Sequence, residues 1–560
     1  MMPHLHFKYK ELIFLFAIFL VASVLILAHL SNRYLWQDEA ETALVSKTIL
    51  QYGLPKAYDG KNFFSQEEVN AYGKNYLWTL DPWLPYYLLA GFFRIFGVST
   101  LTARLPFALL GIATVILTYF FAKILCKDRK IAALTVIILL LNVPFLLLVR
   151  QCRYYSLVAF LSLLGLYGYC LLAEKTKTGS WLFCIAALLT FHTNQLFCAA
   201  LLAAVCCHAL LFQRKLFART FILSGLVVLL NLPWLIFVSG LKYVSIYGFS
   251  FFRASFFLFF RRNLFHIHHY IFPFYLLLIP LVRAVFLGLK HQDFKAAFAR
   301  ELAALKCLWL PVLFTFFNIF ALSLTSPASF FRYLTQLIPV LCVIPAVLIY
   351  ALIKPRFKTG LAVILLSFFA FSFVHFYYYN FPLPGQTVSI NARTKTDYFR
   401  KILLPYAEKP HFANFFDYLY EITTDFDSPV EGIVKYLQKY SRDSDIVAIT
   451  YEGLPVAFYT NLKVICGSTG EDLSLVKKAP WIIIRKYGLV HPGSLRMENF
   501  IRANIPLKYY RKIEIDYPDI PWSNRPEPLE HDFRTPVNED HLIIYRRPAA
   551  ITWPASISLL

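Results

Sequence analysis

Apolar positions run in long stretches as far as residue 379, then give way to short periodic patterns. Stretches of about 20 residues can cross a hydrocarbon core of ~30 Å as helices. They predict eleven spans, near 12–30, 104–123, 131–149, 155–173, 180–194, 196–212, 220–239, 270–289, 307–324, 334–353 and 359–379. The pair 180–194 and 196–212 reads as a tight hairpin, with His192, Thr193, Asn194 and Gln195 at its bend. A long outer segment, 31–103, separates the first two spans and holds two amphipathic helices. One is capped by Gln37 or Asp38 and runs to about Gln51, with Ala40, Ala43, Leu44 and Thr48 on one face. The other runs from Trp83 to Phe96 and ends at Gly97. Both are expected to lie along the membrane surface. A second outer loop is expected at 240–269.

Beyond residue 379 the pattern is that of a soluble domain. Residues 430–440 have helical periodicity, while 445–450 and 481–485 read as short buried strands. Gly453, Pro455 and the proline-rich run 518–528 mark turns. The predicted fold is an all-α polytopic membrane domain over 1–379, followed by a C-terminal extracytoplasmic α/β domain over 380–560.

Charge sets the orientation. With the N-terminus inside, the predicted inner loops hold Lys127, Arg129 and Lys130, then Lys175 and Lys177, then Arg214, Lys215 and Arg219. Lys290, Lys295, Arg300, Lys306, Lys354, Arg356 and Lys358 complete the series. Basic loops stay in the cytoplasm, so an odd number of spans places 380–560 on the outer face. Residues from 380 onward carry 22 Lys and Arg against 21 Asp and Glu, which leaves +21 of the net +22 on the membrane half. Topology thus accounts for the basic balance, and no nucleic-acid footprint is left over. The first apolar run ends in Leu30-Ser31-Asn32-Arg33 without a small-x-small cleavage site, so it reads as a retained span. Eight of the ten cysteines lie in or beside spans, and no disulfide framework or cysteine metal motif follows.

Acids are scarce before residue 380, and their distribution singles out one region. Of 12, seven fall in the first outer segment: Asp38, Glu39, Glu41, Asp59, Glu67, Glu68 and Asp81. Glu11, Asp128, Glu174, Asp293 and Glu301 fall on the cytoplasmic side. Ionisable groups beside a bilayer are costly and mark functional sites. The first outer segment is therefore the candidate site.

Several segments then resemble a known family. Trp36-Gln37-Asp38-Glu39-Ala40 resembles the acidic motif of the GT-C glycosyltransferases, in the branch of the lipid A aminoarabinose transferases and protein O-mannosyltransferases. Leu80-Asp81-Pro82-Trp83-Leu84-Pro85-Tyr86-Tyr87, Phe96-Gly97 and Ala103-Arg104-Leu105-Pro106 resemble its second loop segment. Arg150-Gln151-Cys152-Arg153-Tyr154-Tyr155 resembles its arginine turn, and Phe331-Arg332-Tyr333-Leu334 with Pro339 a late-span motif. The resemblance implies a polyprenyl-phosphate-linked sugar donor and transfer to a lipid, glycan or protein acceptor on the outer face, with inversion. It also implies a prokaryotic inner membrane, with the outer face periplasmic or extracellular.

That chemistry assigns expected roles. Inverting transfer needs a carboxylate for the incoming nucleophile; Asp38 is the first choice and Glu39 the second. Adjacent helical side chains diverge by ~100°, so only one of the two is expected to face the cavity. A departing lipid phosphate suits guanidinium groups, and the outer face offers Arg150, Arg153, Arg261, Arg262 and Arg332. His192 is a weaker candidate for the same phosphate. In the aminoarabinose branch the acid at Asp81 helps to hold a divalent metal with a later histidine. His266, His268 or His269 would serve here, with zinc or manganese as the ion. The chain departs from that branch in having Asp81-Pro82 where those enzymes carry Glu-Lys-Pro. A transporter or lipid-linked sugar flippase is the alternative reading. It predicts repeated halves and midplane charges, and neither is evident.

Overall fold

The computed structural model describes residues 9–65, 71–240, 256–326, 329–353, 415–486, 492–520, 524–528, 531–537 and 539–548. The expected span at 359–379 and the boundary at 379/380 lie outside the described residues. In chain order the first helices are α1 (Tyr9–Leu27), α2 (Gln37–Tyr52), α3 (Leu84–Phe96), α4 (Thr100–Cys126), α5 (Arg129–Leu141), α6 (Val143–Val149), α7 (Tyr155–Ala173) and α8 (Lys177–Phe191). There follow α9 (Gln195–Phe212), α10 (Arg214–Gly240), α11 (Phe256–Tyr270), α12 (Leu278–His291), α13 (Phe294–Ala304), α14 (Trp309–Thr325), α15 (Ile338–Leu341) and α16 (Val343–Ile353). Among the described residues six helices are long and apolar enough to cross a membrane, or up to nine spans if each bent pair counts as one. The 15-residue α8 is a shorter apolar helix. Each expected span that falls in the described residues coincides with one of these helices or bent pairs.

The breaks have local causes. The expected span 131–149 bends by 71° between α5 and α6. Asn142 leaves helical geometry there, its side chain accepts the Phe145 amide at 2.9 Å, and Pro144 occupies the first turn of α6. The α8–α9 hairpin turns at Asn194, whose side chain accepts the amides of Leu196 and Phe197. The outer loop expected at 240–269 is in part a helix: α11 occupies 256–270 and bends by 83° into the helix behind it.

The two juxtamembrane helices form, but α2 is not left lying on a surface. Trp36 takes the N-cap position rather than Gln37 or Asp38, and Glu39 reaches back to its amide at 3.4 Å. The helix closes on Gly53, whose left-handed φ of 73° lets its amide reach the Ile49 carbonyl. Small residues such as Ala40, Ala43 and Ser46 leave α2 narrow, and it is buried almost all round between α3 and the C-terminal domain.

That domain begins with α17 (Phe415–Glu421) and α18 (Pro429–Tyr440). Its strands are β1 (Ile446–Ile449), β2 (Lys463–Ile465), β3 (Trp481–Ile483), β4 (Arg511–Pro518) and β5 (His541–Arg546), with α19 (Gly453–Tyr459) and α20 (Pro492–Asn504) between them. They form one sheet in the order β2-β1-β3-β5-β4. β1 is parallel to β2 and β3, and β5 is antiparallel to β3 and β4. The short apolar runs are thus its central strands, buried as the pattern implied.

One hydrophobic core joins the domain to the first outer segment. Leu44, Trp78 and Phe93 pack in the same cluster as Ile433, Leu454 and Trp481. Asn62 continues the contact by bonding to both sides of the β2 backbone, at Leu462 (3.0 Å) and Val464 (2.9 Å). A second junction lies at the end of α1. Glu421 meets Arg33 at 3.6 Å and His531 at 2.6 Å, Asn32 donates to the Thr424 carbonyl, and Tyr418 donates to the Leu25 carbonyl. Burial acting alone would raise the Glu421 carboxyl, but Arg33 and His531 prevail and hold it at about 2, below its ordinary 4.5.

A carboxyl depressed on folding stabilises the fold above its unfolded value and ceases to do so as pH falls through the folded one. The Glu421 contribution, about 3 kcal/mol by that shift, should be complete above about 4.5 and lost between there and about 2. Glu421→Gln should therefore melt lower than wild type at pH 7. The gap should close on acidification in melts recorded from pH 7 to pH 3. A gap independent of pH would refute this account.

Candidate functional site

Glu39 and Asp38 leave the first turn of α2 in different directions, as their adjacency requires. Glu39 turns inward and is fully buried. Its carboxylate accepts from Arg104 Nε (2.8 Å) and Nη2 (2.6 Å), from the Cys152 amide (2.7 Å) and from the Trp36 amide. Arg104 also donates to the carbonyls of Leu30, Arg33 and Tyr34. This pair fastens the entry to α2, the first turn of α4 and the turn before α7 to one another. Its donors leave Glu39 no face toward an open cavity, so its position is that of a clamp.

Asp38 faces the other way, with its side chain 18% exposed. Arg332, in the helical turn Phe331–Leu337, approaches its carboxylate at 3.7 Å. Arg153, in the turn after α6, donates to the Asp38 carbonyl (3.1 Å) and to Thr42 (2.9 Å), and pairs with Glu41 at 3.2 Å. Asp81 joins from the loop before α3 and accepts from the Tyr86 hydroxyl at 3.3 Å. Burial raises the Asp81 carboxyl and Asp38 adds to the rise, while Arg153 and the Tyr86 hydroxyl oppose it. Burial likewise raises the neighbouring Tyr154 phenol well above its ordinary value. The Arg332 guanidinium lies 5.6 Å from the centre of the Tyr333 ring. Two guanidinium groups and three carboxylates from four separate segments thus converge at one place.

Sequence reasoning did not find two further members. Glu41 was counted among the acids but given no role. Glu527, from the C-terminal domain, reaches Arg332 at 3.2 Å and accepts the Phe331 amide at 3.1 Å. No local motif marks it, because only the folded chain brings it beside the membrane half.

The other expected residues lie elsewhere. Arg150 spends its guanidinium on the carbonyls of Leu25, Ile26 and His29 at the end of α1. With Arg33, Arg104 and Glu421 it lines a separate cavity of about 20 Å³, room for about one water. Arg261 and Arg262 lie on the exposed side of α11. His192 packs edge-on against Trp234. His266 is within 3.2 Å of the Ser329 carbonyl, His269 is within 2.9 Å of the Phe265 carbonyl, and His268 accepts the Phe274 amide. Asp81 has an arginine, a tyrosine and a second acid for neighbours. Among the described residues no three His, Cys, Asp or Glu side chains are grouped to hold a metal ion. Among the described residues the ligands expected for zinc or manganese are thus not brought together as a set.

The fold, not the site, can be compared with known proteins. A family model described as dolichyl-phosphate-mannose-protein mannosyltransferase matches residues 81–237. ArnT from Cupriavidus metallidurans bound to undecaprenyl phosphate is similar in structure, with a TM-score of 0.53 and 13% identity over 97% of this chain and 99% of that one. Its apo form gives 0.53 and 12% identity over the same shares. The archaeal oligosaccharyltransferase AglB from Archaeoglobus fulgidus aligns at 0.44, with 13% identity, over 95% of this chain and 75% of that one. A search of curated proteins finds no match. The chain thus has the fold of the ArnT structures and, over residues 81–237, resembles the protein mannosyltransferases.

The two acids of α2 should part experimentally. Removing one partner of a buried pair leaves the other charge uncompensated, at a cost of about 3–5 kcal/mol. Glu39→Gln should therefore lower the melting temperature strongly, whereas Asp38→Asn should leave it nearly unchanged. Equal melting temperatures for the two variants would show that the clamp does not carry this load.

Proposed function

We propose that the chain is an integral-membrane glycosyltransferase. It transfers a sugar from a polyprenyl-phosphate donor to a lipid, glycan or protein hydroxyl on the extracytoplasmic face, with inversion. The single observation that carries the reading is the meeting of Asp38 and Asp81 with Arg153 and Arg332 at one end of the helical bundle. The matched mannosyltransferase segment and the undecaprenyl phosphate named with the similar ArnT structure support a lipid-phosphate donor.

In this mechanism the acceptor oxygen attacks the anomeric carbon as the bond from that carbon to the phosphate oxygen breaks. The bonding pair leaves with the polyprenyl phosphate. Asp38 takes the acceptor proton, a role for a half-buried carboxylate that is oriented but not fully neutralised by its arginine. Arg332 and Arg153 meet the phosphate through charge-assisted bonds, which strengthen in a site screened from water. Asp81, raised by burial, carries a proton at a higher pH than an ordinary carboxyl. Its carboxyl and the hydroxyls of Tyr86 and Tyr154 offer hydrogen bonds to the sugar. The cluster sits at one end of the bundle and includes residues of the C-terminal domain. This favours transfer at a membrane face over passage through the midplane, the feature expected of a transporter.

Membranes containing the wild-type protein should transfer label from a polyprenyl-phosphate sugar to an acceptor whose mass identifies its class. Asp38→Asn should lower turnover by at least ~100-fold, within the range general bases contribute, while the donor still binds. A flippase would tolerate the substitution. A broad donor panel giving neither transfer nor binding would sink the transferase reading.

A further inference from the structure

Glu527 of the C-terminal domain stands in the chain between two buried ionic anchors, at Asp519 and His531. At one end, Arg485 follows β3 and is buried with no exposed side-chain surface. It donates to Asp519 (2.6 Å), to the Ile520 carbonyl (2.6 Å) and to Glu452. Asp519 also accepts the Lys486 amide at 2.9 Å. At the other end, His531 meets Glu421, and the Arg525 carbonyl lies 2.8 Å from its second ring nitrogen. Between the anchors Glu527 is 6% exposed and directed at the membrane half. One of its oxygens holds Arg332 Nη1, and the other accepts the amide that opens the Phe331–Leu337 turn.

Arg332 is thus shared. Nη1 faces Glu527 at 3.2 Å and Nη2 faces Asp38 at 3.7 Å. The shorter contact is to the distant domain, not to the acid on α2. An arginine side chain has several rotatable bonds and about 2 kcal/mol of rotamer entropy to lose. A two-point hold on its guanidinium and its own backbone turn removes that freedom before substrate arrives. The hold also places a second negative charge beside the guanidinium, which offsets part of its field at Asp38 and favours Asp38 as a base.

We infer that Glu527 is a positioning residue of the transferase site, by which the C-terminal domain sets the orientation of Arg332 and the basicity of Asp38. The inference rests on the function proposed above. The domain therefore belongs to the catalytic apparatus and is not a detachable cover.

The test uses the full-length protein in membranes, with labelled polyprenyl-phosphate sugar, and compares wild type, Asp38→Asn, Glu527→Gln and Glu527→Ala. Glutamine keeps the volume and can still accept the Phe331 amide, so a merely structural role would leave Glu527→Gln with wild-type kinetics. The expected result is a kcat at least ~10-fold lower for Glu527→Gln, a fraction of what a general base contributes, with donor KM nearly unchanged in protein that is still folded at the assay temperature. The acid limb of its pH–rate profile should move to lower pH, because no Glu527 charge then offsets that of Arg332 at Asp38. Glu527→Ala should lose turnover further and lose stability too; if it fails to fold, Glu527→Gln decides. Wild-type kcat and profile in Glu527→Gln would overturn the inference. So would a lower donor KM with kcat kept, which would make Glu527 a competitor of the phosphate. Transfer by wild type, lost in Asp38→Asn and intact in Glu527→Gln, leaves the proposed function standing and refutes only this inference. Absence of both transfer and donor binding by wild type across a broad donor panel refutes both.

Discussion

The buried Glu39–Arg104 pair is the constraint on which the arrangement of the site depends. Charges brought out of water need several good partners, and these have them. Glu39 accepts from one guanidinium through two nitrogens and from two backbone amides, and Arg104 supplies three carbonyls besides. The groups satisfied are those that a helix start and two irregular turns would otherwise leave open. Three segments distant in sequence are thereby held at fixed separations: residues 30–39, the start of α4, and residues 150–153. Asp38 and Arg153 each lie beside a held residue, so their geometry follows from a bond in which neither takes part.

The second constraint is the shared core between the first outer segment and the sheet. A helix with as little apolar surface as α2 would not hold its place by lipid contact. It is held because α3 covers one side and α19 another, with Leu454 donating its amide to Gln37 and Tyr459 accepting that of Leu35. The C-terminal domain therefore fixes the helix that carries the candidate base, and through Glu527 it also fixes the arginine opposite. Local packing and the candidate chemistry depend on the same interface.

The amino-acid sequence exposes some of this and conceals the rest for physical reasons. Spans are legible because the bilayer demands long apolar runs, and α7 falls on 155–173 as the pattern implied. The turn at Asn194 and the stops at Gly53 and Gly97 are legible because capping and left-handed backbone restrict the residue types. The helical state of α11 is not legible, since its run of arginine and histidine among aromatic residues has the composition of an interfacial loop. Asp38 and Glu39 could be separated only as far as saying that they diverge. Which of them faces inward depends on Arg104, a residue that the pattern places in a span and not in a site. Arg150 and Arg153 stand three apart in one motif, yet one closes the end of α1 and the other meets Asp38, since a turn points residues at that spacing in different directions. Glu527 lies in a proline-rich run whose composition signals only a turn.

Charge balance at the cluster bears on what it can bind. Asp38, Glu41, Asp81 and Glu527 face two guanidinium groups, those of Arg153 and Arg332. A site with that excess of acid would repel an anion presented alone. Burial and the proximity of Asp38 relieve part of the excess by favouring the protonated form of Asp81. The remainder suits a substrate that develops both signs at once. As the bond to phosphate lengthens, the anomeric carbon and ring oxygen become positive while the departing phosphate gains negative charge. In the proposed reaction, carboxylates interleaved with fixed guanidinium groups would stabilise that separated pair more than the intact donor, and such a difference lowers a barrier. The mixed charge of the cluster is accordingly better matched to breaking a sugar–phosphate bond than to holding a phosphate at rest.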